Sequence, residues 1–140
     1  MSQGFTKTKF IRSTASRNIV SVASVSLASG AVDSSQRISL GESGLLFVVQ
    51  TDIPARVILY ATSTARTSDA SRTLGQLPTR SSGVIAEVIT SSTLLIVAIA
   101  PSVPYLNLEL PPVSNLPLSI TNLSGSTSIV NVTMTYLAFE

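Results

Sequence analysis

The chain has no cysteine, no histidine and no tryptophan, and its only two lysines are Lys7 and Lys9. Without cysteine there can be no disulfide and no thiolate metal site. Without histidine the commonest general base, the commonest zinc ligand and the physiological-pH switch are all missing. Charge is scarce as well: Asp, Glu, Lys and Arg make up 11% of 140 residues, less than half the ~25% of an average domain. Long apolar runs are absent. The longest, Leu94 to Ala100, falls far short of the ~20 residues of a membrane-spanning helix. No glycine-rich phosphate loop, nucleophile elbow or metal-ligand spacing occurs.

What is present is apolar and hydroxylic. Apolar residues make up 44%, with 24 Ser and 15 Thr beside them, and mean hydropathy is +0.45. Disordered chains combine low hydrophobicity with high charge, so this composition specifies a folded domain. A monomer keeps itself soluble with interspersed surface charge, of which this chain has little. A charge-poor, apolar surface marks an interface, and residence in an oligomer or lattice of its own copies is expected, with a trimer as the first choice.

Catalysis is not expected. With His and Cys missing, carboxylate-pair chemistry is the main candidate left, and the acids are Asp33, Glu42, Asp52, Asp69, Glu87, Glu109 and Glu140. The first three sit in turn signals, where Asx-turns and exposure account for them. Glu87 and Glu109 lie in strand patterns, where a cross-strand arginine accounts for either. No Trp offers a sugar-stacking platform, and the lysines needed for a Ser–Lys dyad are confined to the N-terminus. The expected site set is therefore no catalytic residue, no metal ligand and no cofactor.

Residues 1–17 stand apart. They hold four basic residues and no acid, whereas residues 18–140 carry five Arg against seven acids. The segment reads as an extended arm that docks on a neighbouring subunit through Phe5, Lys7, Lys9, Phe10, Ile11, Arg12 and Arg17. Nucleic-acid binding is the weaker reading, because four charges neutralise few phosphates. The weak apolar stretch after the basic residues alternates and is serine-rich, so it reads as strand and not as a signal peptide. An unprocessed product of the cytoplasm is expected.

From residue 18 the pattern is strands separated by turn signals. Asn18–Ser29 changes phase near Ala23 and Ser24, which suggests a bulge. Gln36–Leu40, a central strand at Leu45–Thr51 and Arg56–Ala61 follow. In the last of these Val57 and Leu59 oppose Arg56, Ile58 and Tyr60. Residues 62–82 form a long strand-free loop whose polar cluster, Arg66, Asp69 and Arg72, is a candidate contact surface or a solvated Ω-loop. Val84–Thr90 and Leu94–Ala100 suggest a hairpin, Pro101 and Pro104 a corner, and Tyr105–Leu110 a strand. Leu116–Asn122 and Ser128–Phe139 suggest a final hairpin, the last strand being central because both its faces carry apolar groups. Eight or so strands with no helix give an all-β fold: one β-sandwich domain over 18–140, of jelly-roll type. Asn122-Leu123-Ser124 and Asn131-Val132-Thr133 match the N-glycosylation pattern by chance.

Two stretches, ARVILYATSTARTSDASR (Ala55 to Arg72) and ITNLSGSTSIVNVTMTYLAFE (Ile120 to Glu140), resemble small β-sandwich virion proteins of tailed bacteriophages. The resemblance implies structural work in a particle, at the tail, baseplate or fibres, with itself and other virion proteins as partners. It implies no substrate, membrane or catalytic residue. Capsid decoration is the second reading. A host-glycan or receptor-binding module is the third, and it would need a concave patch lined by Tyr60, Tyr105 or Tyr136.

Overall fold

The computed structural model describes residues 16–139. Nine strands form two antiparallel sheets. The front sheet has the order β1-β9-β4-β7, and the back sheet has the order β2-β8-β5-β6, with β3 also pairing to β8. The strands are β1 (Asn18–Ala23), β2 (Val32–Asp33), β3 (Arg37–Ile38), β4 (Ser43–Thr51), β5 (Ala55–Tyr60), β6 (Val84–Ile89), β7 (Ile96–Leu106), β8 (Leu116–Asn122) and β9 (Asn131–Ala138). The pairings nest: β1 with β9, β2 and β3 with β8, β4 with β7, and β5 with β6. A long antiparallel ribbon, doubled back between β5 and β6, is wound so that successive pairs fall in opposite sheets. That winding is the jelly roll.

The winding corrects two sequence expectations. Only β5 and β6 are consecutive long strands paired within one sheet. The connections β6–β7 and β8–β9, expected as hairpins, are arches that carry the chain from the back sheet to the front. Their length and turn residues imitate a hairpin, and the alternation of either strand fits both geometries. The expected corner at Pro101 and Pro104 also lies inside β7. Residues 99–102 bulge opposite Phe47 alone, and Pro104 pairs with Leu45. Proline is tolerated there because β7 is an edge strand, where a missing N–H need leave no ladder partner unpaired.

The core lies between the sheets. Leu46, Val49, Val132 and Met134 from the front meet Val57, Leu59, Leu118 and Ile120 from the back. β9 is interior, as expected, but only Val132 and Met134 of its inward face are fully buried, and Ile129 and Phe139 beside it stay exposed. β1 ends at Ala23, short of the expected run. Ser24 replaces the ladder there: its Oγ accepts from the Val130 N–H at 2.9 Å, and Val130 O accepts from the Ser24 N–H at 2.9 Å.

A helix stands where only loop was expected, α1 (Ser63–Ser68). Thr62 caps it, accepting from the Ala65 N–H at 3.0 Å. It lies over the outer face of the back sheet, where Ile58, Tyr60 and Ala65 make a second small core. This explains why β5 is buried along its whole length and why its alternation is imperfect.

Candidate interface

The outer face of the back sheet gathers the charge. Arg56 donates from Nε to Glu87 at 2.6 Å, and Arg72 reaches Glu87 at 2.6 Å and Asp69 at 2.8 Å. Tyr60 Oη donates to Asp69 at 2.7 Å. Arg56 also donates to the carbonyls of Arg72 and Thr73, so the network fastens the 62–82 loop to β5 and β6. Arg66 donates to the carbonyls of Gln36 and Leu118 at 2.9 and 3.0 Å, which holds α1 against β8. Arg37 pairs with Glu109 at 2.6 Å. Seven of the twelve charged residues described are spent in this way.

The electrostatics are those of structural ion pairs. Burial alone would raise the Asp69 carboxyl, but bonds from Arg72 and Tyr60 hold it below the usual carboxylate range. The Arg37 bond lowers Glu109. Burial and the Asp69 carboxylate push the Tyr60 phenol up. A general acid near neutrality needs a raised carboxyl pKa; Asp69 and Glu109 move the other way. Burial, with Arg37 nearby, lowers the Arg66 guanidinium.

The expected contact residues Arg66, Asp69 and Arg72 are thus brought together, with their polar groups turned inward; the Asp69 and Arg72 side chains are 8% and 6% exposed. The 62–82 segment is fastened to the sheet through Ala65, Arg66, Asp69 and Arg72, while most of its other residues are exposed. Of the arm residues, Phe5, Lys7, Lys9, Phe10, Ile11 and Arg12 lie outside the described residues. Arg17 is described: its guanidinium stacks 4.3 Å from the centroid of the Phe47 ring. Tyr60 and Tyr105 are buried and offer no ring face to a ligand. The glycosylation-like Asn122 is also buried, donating to the carbonyls of Leu27 and Ser126. Among the described residues no group of His, Cys, Asp and Glu is placed to hold a metal ion.

The opposite chemistry occupies the side of the sandwich where β6 and β7 are the free edges. Three adjoining concavities of about 440, 440 and 460 Å³ run along it. β6 is the rib they share, through Val84, Ile85, Ala86 and Ile89. Leu94, Ile99 and Val103 from the β7 side line one, Leu106 and Leu108 another, and Leu77 with Pro78 the third. Leu77, Leu94, Leu106 and Leu108 are each more than half exposed. Residues 83–108 contain one charged side chain, Glu87, and its carboxylate is already taken by Arg56 and Arg72. Sequence reading treated this stretch only as strands. The signal that could have found it is the 26-residue near-absence of charge, which exceeds what one buried strand needs.

No protein-family model matches the chain, and no curated protein is similar to it in sequence.

Proposed function

We propose that this chain is a non-enzymatic structural subunit of a virion, working in contact with copies of itself and with other particle proteins. The observation that carries the reading is the partition of the surface. Six of the twelve charged residues described are consumed in ion pairs, while a groove of half-exposed leucines lies open on another side. A freely diffusing monomer gains nothing from that arrangement, whereas an assembled subunit covers the groove. The jelly-roll winding recurs in viral coat domains as well as in lectins. That is an analogy of fold, and it favours a place in the shell, as coat or capsid decoration, over the tail and baseplate role that the sequence resemblance suggests. The arm of residues 1–17, with four basic and three large apolar groups, docks on a neighbour whose body is net negative, adding steering and register.

Sedimentation of the full chain at micromolar concentration tests this. A species heavier than 14.6 kDa is expected, and a clean monomer at every concentration refutes it. Removing residues 1–17 should leave the β-sheet circular dichroism intact and weaken assembly. Unchanged assembly would remove the arm from the proposal.

A further inference from the structure

We infer that the β6–β7 side of the sandwich is a contact between copies of this chain, with the occupant of the groove being the same side of a second copy. The inference deepens the assembly reading and rests on it.

Three observations choose this occupant. The first concerns the edges. Proteins shield free sheet edges with charge, proline or very short strands. On the far side, β2 and β3 are two residues each and β1 follows directly on Arg17. On the near side, β6 is six residues long with its one charge neutralised from behind, and β7, eleven residues long, is interrupted only by its bulge and two prolines.

The second observation is area. At the ~120 Å² that a burial energy of ~3 kcal/mol implies for a fully exposed aliphatic side chain, the exposed parts of Leu77, Ile89, Leu94, Leu106 and Leu108 present roughly 350 Å² of apolar side chain. A stable contact takes ~800 Å² from each partner, about 65% of it apolar in homodimers, so these five side chains supply about two-thirds of the apolar share needed.

The third is the kind of contact available. Pro101 and Pro104 lack the N–H groups that a continuous added strand would need from β7. On the β7 side of the groove, therefore, side-chain packing and not an inserted extended segment must make the contact. Such packing calls for a partner with an equally uncharged apolar surface. The back sheet's outer face is the ion-pair network, and the front sheet's outer face interleaves hydroxyls, Ser21 bonded to Thr133 across β1 and β9, with apolar groups such as Ile19 and Leu137. The β6–β7 side fits itself best, and a contact that pairs a surface with itself closes as a dimer.

The test is the double variant Leu94→Glu with Leu108→Glu, both exposed positions on the groove, compared with Ile19→Glu on the distant β1 edge. Sedimentation equilibrium of the wild type should give a dimer as its smallest associated species. The groove variant should raise the dissociation constant by roughly 100-fold or more while keeping the native circular dichroism. Ile19→Glu should associate like the wild type. A nitroxide on Ser92→Cys, in a chain with no other cysteine, gives a readout that survives if the double variant misfolds. Dipolar coupling between copies is expected, and is lost on dilution with unlabelled chain. A wild-type monomer removes both this inference and the assembly reading. An oligomer that persists in the groove variant, shows no coupling, or is built on a trimer overturns the groove contact alone.

Discussion

Replacing Asp33 by Ala should cost about 2 kcal/mol at neutral pH and remove part of the protein's sensitivity to acid. The Asp33 side chain is buried, and its carboxylate accepts four hydrogen bonds: from the Val25 N–H at 2.9 Å, the Ser35 N–H at 2.8 Å, the Ser35 hydroxyl at 2.5 Å and Gln36 Nε2 at 3.1 Å. Burial alone would raise its pKa, but these donors outweigh it and bring it from 3.8 down to about 2. A folded-state pKa below the unfolded value means that the ionised group stabilises the fold above the unfolded pKa. That stabilisation disappears as pH falls through the folded one. The window is therefore pH 4 down to 2, and at ~1.4 kcal/mol per pH unit the contribution is about 2 kcal/mol. Water can reach part of the Val25 backbone, whose residue is half exposed, so Ala should not cost the full penalty of every orphaned donor. Urea unfolding of wild type and Asp33→Ala at pH 7 and pH 2, at one protein concentration, measures the difference directly. The two proteins should differ at pH 7 and converge at pH 2. A difference that stays constant across that range would show that the carboxylate's charge is not what holds the β2–β3 turn.

Three further outcomes are expected. Val132→Asp puts an unpaired charge at a fully buried position of β9 and should abolish soluble expression; a folded mutant of native stability would displace β9 from the core. Gly44→Ala would set a Cβ 2.1 Å from the Leu137 carbonyl oxygen, a backbone clash that should cost about 3 kcal/mol in thermal or urea unfolding. Glu87→Gln leaves Arg56 and Arg72, whose side chains are 9% and 6% exposed, with Asp69 as their remaining acid, and should cost about 3 kcal/mol. Adding Arg56→Met to Glu87→Gln should recover part of that loss in a double-mutant cycle.

The sequence disclosed the strands better than their partners. Apolar runs bounded by turn signals identify β4, β5 and β8, alternation identifies β9, and the phase change at Ser24 is the point where its hydroxyl takes over from the ladder. Pairing is a different matter. An arch between sheets and a hairpin within one sheet demand the same turn residues, so Ser91 to Thr93 and the Ser-Gly-Ser around Gly125 could not tell them apart. Helix α1 was hidden because Ser-Thr-Ala-Arg-Thr-Ser has no apolar period. It is held by the Thr62 cap and by Arg66 reaching over to β8, contacts that exist only once the sheet is formed. The acidic residues divide along the same line. Arg56 with Glu87 follows from strand adjacency, whereas Arg72 closing onto both Glu87 and Asp69 depends on a loop path that no local pattern encodes. Asp33 makes the Asx-turn its position suggests, but buried and not exposed.

Scarcity of charge looks, in composition, like a property of the whole surface. The fold makes it a property of one side. Arg56, Arg72, Asp69 and Glu87 neutralise one another, Arg37 is matched by Glu109, and Arg17 lies on Phe47. These groups fasten the 62–82 segment, the β3–β8 end and the start of β1, and they leave the body of residues 18–140 only weakly negative, with five Arg against seven acids. Hydroxyl groups then supply most of its remaining polarity, and they solvate a surface without repelling a neutral neighbour. Two copies approaching through their β6–β7 sides therefore meet no electrostatic barrier. The strongly charged part of the chain is its first seventeen residues. In the assembly proposed above, the groove would supply apolar area and the basic arm orientation.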